Sequence, residues 1–245
     1  MFRFKQFSIE DRGATMKVGT DAVLLGALSS PDNEPKRILD IGTGCGVIAL
    51  MMAQRFPSAT IHAIDIDNPS TIVASDNFRL SPWHTRIHCQ NISLQKYVLL
   101  ANDSFNLIIS NPPYYSNSLK NSDPQKRKAR HDDSLTPVEL FECSFLLLKQ
   151  QGELWIIIPT IEKEKFLNAA QNRGLRNNNI IDICTSCGKS PRLSILSFKR
   201  EPNQTVMLLS DAPDHTSVAI RDENNNYTSW YQHVMEPFLL QTHKV

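Results

Sequence analysis

From Arg37 onward, apolar positions along the chain fall into two alternating kinds of block. Short runs, nearly all apolar or branched and bounded by Gly, Pro, Asn or Asp, have the length of buried strands; longer stretches carry apolar residues at helical spacing. The short runs predict strands at Arg37–Ile41, Thr60–Ile64, Arg86–Cys89, Phe105–Ile109, Glu153–Ile158 and Ile180–Cys184. The longer ones predict helices from Gly46 to Phe56, from Pro69 to Leu80, from Leu94 to Leu100, from Thr136 through Lys149, and from Ile161 to Asn172. Pro69 suits a first helical turn, Thr136 and Pro137 read as an N-cap followed by the first helical position, and Gly174 stops the last of these helices. Upstream, Thr20 or Asp21 is expected to cap a short helix through Ala22–Leu28, and Ser29 to Lys36 reads as a loop. At the far end, Leu193–Phe198 and Thr205–Leu209 read as an antiparallel pair across Arg200-Glu201-Pro202-Asn203.

Strands separated by helices of ten or so residues need right-handed crossovers and pair mainly in parallel. The expected fold is α/β and Rossmann-like: a seven-stranded, mainly parallel sheet with an antiparallel hairpin at one edge and helices on both faces. Residues 1–35 would form a cap segment and 36–245 the core of one domain. Open sheets of this kind bind ligands beyond the carboxyl ends of their strands, so the residues placed there carry the chemistry.

Composition narrows the picture. The chain has 245 residues, 41% of them hydrophobic, enough for a sizeable single core. A net charge of +1 provides no bulk field toward nucleic acid, so any basic surface is local. Five scattered cysteines argue against a disulfide framework and for a reducing compartment. With neither a secretory apolar region nor eighteen consecutive apolar residues, the expected location is the cytoplasm, away from membranes. Cys184-Thr185-Ser186-Cys187 has metal-like spacing but no second pair, and no metal site is expected.

The first strand runs into Asp40-Ile41-Gly42-Thr43-Gly44-Cys45-Gly46. Glycines there admit a ligand close to the backbone, but the spacing G-x-G-x-G is not the G-x-G-x-x-G of dinucleotide sites. It resembles motif I of the S-adenosylmethionine (AdoMet)-dependent methyltransferases. The second strand ends at Asp65, placed to accept both hydroxyls of a ribose, with Ile66 beside it and Asp67 positioned as a helix cap. The third ends at Asn91-Ile92, where similar methyltransferases carry an Asp that receives the adenine amino group; an Asn oxygen accepts the same bond without the charge.

The fourth strand delivers Asn111-Pro112-Pro113-Tyr114, which resembles the signature of amino-methylating enzymes. Neither proline can serve a sheet ladder, so the chain leaves the sheet there and fixes an amide and an aromatic ring at its edge. An exocyclic amine on adenine is a poor nucleophile because its lone pair is delocalised into the ring. If the Asn111 oxygen and the Pro112 carbonyl each accept one N–H, the nitrogen pyramidalises toward the methyl donor without a strong general base. Tyr114 would stack on the base, worth roughly 1–3 kcal/mol, and a base within a stem or loop must be turned out to reach it. Lys126, Arg127, Lys128 and Arg130 follow on a loop that reads as a phosphate-contacting patch.

Taken together, the chain resembles the bacterial tRNA (adenine-N6)-methyltransferase family that modifies the adenosine beside the anticodon of valine tRNA. The resemblance adds Phe4-Lys5-Gln6-Phe7, Met16-Lys17-Val18-Gly19-Thr20-Asp21, Arg130-His131-Asp132 and the tail Ile220-Arg221-Asp222 with Tyr227-Thr228. It implies AdoMet as cofactor, tRNA as partner and a monomer without metal. It also implies that Asp40, Gly42, Gly44, Gly46, Asp65, Ile66, Asn91, Ile92 and Asn111 border the cofactor, with Lys17 and Thr20 at its edge under an N-terminal cover. Asn111, Pro112 and Tyr114 would be catalytic; Pro113, Tyr114 and the basic loop would meet the substrate. Glutamine N5-methylation of a release factor poses the same nucleophilicity problem, but those enzymes usually carry a separate helical N-terminal domain. DNA methylation would want a sequence-reading domain, and an RNA-binding protein without catalysis would not need Asn111 and Tyr114.

Overall fold

The computed structural model describes residues 1–101, 104–113, 135–171, 173–200 and 212–240. A two-stranded antiparallel ribbon, β1 (Phe2–Arg3) with β2 (Ser8–Ile9), precedes α1 (Thr20–Leu28). The main alternation follows: β3 (Arg37–Ile41), α2 (Val47–Arg55), β4 (Thr60–Asp65), α3 (Asn68–Arg79), β5 (Ile87–Asn91), α4 (Leu94–Leu100), β6 (Phe105–Ser110), α5 (Pro137–Leu147) and β7 (Leu148–Pro159). A 3-10 turn (Thr160–Glu162) leads to α6 (Lys163–Gln171), β8 (Leu175–Ser186), β9 (Leu193–Arg200), β10 (Asp214–Arg221) and α7 (Ser229–Met235).

The sheet order is β10-β8-β9-β7-β6-β3-β4-β5. Among the described strands of this sheet only β9 runs against its neighbours, pairing antiparallel with both β7 and β8. The mainly parallel sheet is as expected, but the described residues form eight strands of it rather than seven. The 205–209 stretch, expected to pair with β9, lies outside the described residues. Strand β10 pairs parallel with β8 and forms the edge.

Period-two alternation puts helices on both faces. Ile38, Ile61, Ala63, Leu107, Ile109, Trp155 and Ile157 pack on one side with α1, α2, α3 and α7. Their neighbours Leu39, Ile64, Ile108, Leu154, Ile156 and Ile158 pack on the other with α4, α5 and α6. The buried aromatics Phe4 and Phe7 carry the N-terminal ribbon into the first of these cores, so the start of the chain is part of the fold.

Helix starts follow local chemistry. Thr136 closes a reciprocal capping box with Glu139, and Asp67 accepts the Ser70 N–H with Pro69 in the first turn, both as expected. Helix α1 differs: its N-cap is Gly19 without a side-chain bond, and Thr20 and Asp21 are already helical. Helix α5 ends at Leu147, two residues before the predicted Lys149, because the chain passes straight into the extended backbone of β7 at Leu148. Gly152 then passes so close to Phe105 that an added Cβ would lie 3.0 Å from the Phe105 carbonyl oxygen.

Candidate cofactor and acceptor site

The carboxyl ends of β3, β4, β5 and β6 meet in one place. Gly42 and Thr43 donate their N–H groups to the Ile64 carbonyl at 2.9 and 3.1 Å, drawing the turn after β3 over the end of β4. Gly42, Gly44 and Gly46 all have positive φ, at 71°, 57° and 88°. Their reasons differ. A Cβ on Gly46 would lie 2.5 Å from the buried Phe78 ring, so that glycine lets α2 pack on α3. A Cβ on Gly42 would meet no described atom within 4 Å, and one on Gly44 only Met16, at 3.8 Å. Gly42 and Gly44 thus present bare backbone to an open face that side chains would fill.

Two acids flank this face. Asp65 accepts the Gly44 N–H at 2.8 Å through Oδ2 and the Asp67 N–H at 2.9 Å through Oδ1. Each oxygen keeps a further lone pair for a ribose hydroxyl. Burial raises its pKa above the ordinary carboxylate value, opposed by those two N–H groups. Asp40 is fully buried at the end of β3; its Oδ2 accepts the Thr43 hydroxyl at 2.7 Å, and Oδ1 is buried with no hydrogen bond among the described residues. Burial pushes its carboxyl up to about 7, the Thr43 hydroxyl opposing and the Asp65 charge adding. A buried acceptor without a partner beside bare glycine backbone fits a ligand carrying an ammonium group and a ribose, as AdoMet does.

Asn91, at the end of β5, donates through Nδ2 to the Asp65 and Ile66 carbonyls, both at 3.0 Å. Its donor side is held, which leaves Oδ1 to accept an amino group. Ile66 beside it is a large apolar side chain 54% exposed, a surface for a planar ring. The Ile92 N–H donates to the Asp65 carbonyl at 2.9 Å, which leaves its side chain as the part that can border a ligand.

On the acceptor side, β6 pairs with β3 in the register Ile41 to Ser110. The buried Ser110 hydroxyl donates to the Ile41 carbonyl at 2.9 Å, tying the two strand ends together. Gly42 and Asn111 therefore leave adjacent strands side by side. Asn111 is half-buried, Pro112 is buried and Pro113 is exposed. Tyr114, Lys126, Arg127, Lys128 and Arg130 lie outside the described residues.

The N-terminal segment crosses the glycine turn. The Thr15 hydroxyl donates to Asp67 at 2.9 Å, and the Thr15 N–H to the Ser70 hydroxyl at 3.2 Å. Buried Asn77 accepts the Glu10 N–H at 2.9 Å and donates to the Glu10 and Cys45 carbonyls, both at 2.8 Å. These bonds carry Met16 against Gly44; Lys17 and Thr20, just after it in the chain, are exposed.

Residues 14–173, which include the glycine turn, both acids and the Asn-Pro-Pro corner, match the model of the methyltransferase small domain. The chain belongs to this family. Curated relatives agree. It is 36% identical to the tRNA1(Val) (adenine(37)-N6)-methyltransferase of Flavobacterium psychrophilum over 98% of this chain and 100% of that one. It is 41% identical to the Bacteroides thetaiotaomicron protein of the same name over 80% and 82%. Among solved structures, a predicted O-methyltransferase from Agrobacterium tumefaciens aligns with TM-score 0.62 at 16% identity, over 89% of this chain and 96% of that one. A geranyl diphosphate C-methyltransferase from Streptomyces coelicolor, solved with S-adenosyl-L-homocysteine, aligns with TM-score 0.53 at 12% identity, over 73% and 74%. At these identities the structural likeness concerns the methyltransferase fold alone.

Several residues that build this methyltransferase site carry no motif signal. Ser110 and Asn77 are buried polar side chains inside apolar surroundings, and Thr15 is one polar residue in a polar segment. A buried Ser or Asn in a strand or helix needs a partner, but nothing in sequence says which. Among the described residues no group of three or more His, Cys, Asp or Glu could hold a metal, and no helix is long and apolar enough to cross a membrane.

Proposed function

We propose that this protein transfers a methyl group from AdoMet to the exocyclic N6 of an adenosine in tRNA, the adenosine 3' of the anticodon of valine tRNA, in the cytoplasm. The observation that carries the reading is the Ser110–Ile41 staple, which sets the amide corner of β6 beside the bare glycine face of β3. The curated relatives' names supply the substrate.

Gly42 and Gly44 would take the methionine end of the cofactor, Asp65 its ribose, and Ile66, Asn91 and Ile92 its adenine. Asp40, its Oδ1 unsatisfied, would face the positive end. When bound, AdoMet supplies an electrophilic methyl on a sulfonium. Asn111 Oδ1 and the Pro112 carbonyl would accept the two N–H groups of the target amine and turn its lone pair toward that methyl. The N6 proton then leaves to water after transfer, since no strong base is needed at an amine that has become cationic. Pro112 and Pro113 hold this corner rigid, because each fixes φ.

Labelled AdoMet offered in parallel to unmodified tRNA, ribosomal RNA, duplex DNA and release factor tests the reading. We expect label in tRNA; label in protein alone would overturn it.

A further inference from the structure

The carboxyl rim continues past Asn111 toward β9 and β8, and the motifs leave that stretch without a role. Strand β7 exits into the Thr160–Glu162 turn, and the β8–β9 connection, 187–192, overhangs the same rim. This connection is held. The Thr160 N–H donates to the Arg192 carbonyl at 3.0 Å, the Arg192 N–H to Ile183 at 3.0 Å, the Lys189 N–H to Ser186 at 3.2 Å, and the Cys187 N–H to Arg221 at 2.8 Å. Gly188, at φ 73, makes the reversal possible.

Lys189 and Arg192 project from it, exposed and without an ion pair among the described residues. The charge of Arg192 acts on Asp21 in the first turn of α1, four residues from the exposed Lys17 that flanks the glycine turn. Ile161 is 89% exposed at the exit of β7, the strand next to β6. Asp21 offsets part of the Arg192 charge, and most other acids nearby are held by partners of their own. Asp182 is paired with Lys163 and His215, Glu162 with Lys165, and Asp11 and Asp222 accept backbone N–H groups. Asp21 is half-buried, and Glu223 is exposed past the end of β10.

We propose that this rim seats the sugar-phosphate backbone of the RNA strand next to the target nucleotide, with Lys17, Lys189 and Arg192 on phosphates and Ile161 against a neighbouring base. The proposal rests on the tRNA reading above. With strands about 4.8 Å apart, the β8–β9 connection lies roughly 10–14 Å along the rim from the exit of β6. That spacing places it at the neighbours of a nucleotide held by Asn111. A chain of net charge +1 binds a polyanion only through such local clusters.

The test measures tRNA binding from 50 to 300 mM salt and methyl transfer for wild type, for the double variant Lys189→Gln/Arg192→Gln, and for Arg79→Gln at the opposite end of α3. Two phosphate contacts to single-stranded RNA lost at about 0.7 each should lower the log–log salt slope by roughly 1.4 and weaken binding about 25-fold at 0.1 M salt. Arg79→Gln should match wild type, and S-adenosylhomocysteine affinity should be the same in all three. Ile161→Ser should raise the KM for tRNA several-fold with the slope unchanged. A double variant that keeps the wild-type slope, or an equal loss in Arg79→Gln, overturns the proposal while tRNA methylation by wild type stands. If wild type neither binds nor methylates tRNA, the functional reading fails first.

Discussion

Alanine at Gly42 and alanine at Gly46 should fail in opposite ways, although the two positions belong to one motif and both have positive φ. An L-residue in that conformation costs about 1–2 kcal/mol. At Gly46 the new methyl also lands 2.5 Å from Phe78, and overpacking of a buried ring adds about 1–3 kcal/mol. For a chain of this size 1 kcal/mol corresponds to roughly 2–4 °C in Tm. Gly46→Ala should therefore lower Tm by about 4–20 °C and Gly42→Ala by about 2–8 °C. The ligand response reverses the ranking. S-adenosylhomocysteine at 100 times its Kd stabilises a binding-competent protein by about 2.7 kcal/mol, or roughly 5–11 °C. Gly46→Ala should keep that increment where it remains folded, and Gly42→Ala should lose it, because its methyl fills the open face. Differential scanning fluorimetry with and without ligand reads both. A full ligand shift in Gly42→Ala would show that the open face is not the cofactor's seat.

Three further perturbations separate the parts of the site. Asn111→Ala should cut methyl transfer at least about 100-fold, the cost of one positioned hydrogen-bonding group, with the S-adenosylhomocysteine Kd unchanged; lost cofactor binding would place Asn111 in the wrong half of the site. Asn91→Ala should weaken S-adenosylhomocysteine about tenfold by removing the acceptor for the adenine amine, and Asn91→Asp should restore it; equal affinities would move the adenine elsewhere. Asp40 gives a pH dependence. Its folded pKa, about 7, lies above its unfolded value, so its stabilising contribution is complete below about pH 4 and is lost as pH rises through 7. The Tm of the ligand-free protein should fall from pH 5 to pH 8 more steeply in wild type than in Asp40→Asn, while affinity for a ligand with an ammonium group should rise over the same range in wild type alone. Parallel Tm profiles would show that Asp40 is already ionised at pH 5.

The strands that build the cofactor face were legible because buried parallel strands are continuous apolar runs, and their ends are marked by Gly, Asp and Pro for backbone reasons. The β8–β10 end of the sheet was legible only in part. Strand β8 begins with Leu175-Arg176-Asn177-Asn178-Asn179, a stretch rich in poor strand formers that is held by pairing with β9, β10 joining on the other side only from Asn179. Strand β10, Asp214–Arg221, is a polar edge with its first four residues exposed, and an edge needs no apolar run. The cap of α1 shifted because Gly19 takes the extended backbone of an N-cap as readily as Thr20 could. At the site, glycines, acids and the Asn-Pro-Pro corner announced themselves by spacing. Ser110 and Asn77 did not, since their roles exist only once β3 meets β6 and the N-terminal segment meets α3.

The central claim is that the corner after β6 presents the N6 amine of one tRNA adenosine to AdoMet. Nucleoside mass spectrometry of an unmodified valine tRNA transcript, incubated with the protein and AdoMet, tests it most directly, beside a transcript with guanosine at position 37, the site in the relatives' name. One N6-methyladenosine in the first transcript and none in the second is the predicted result. Methylation at N1 or on the ribose, or equal N6-methyladenosine in both transcripts, would contradict it.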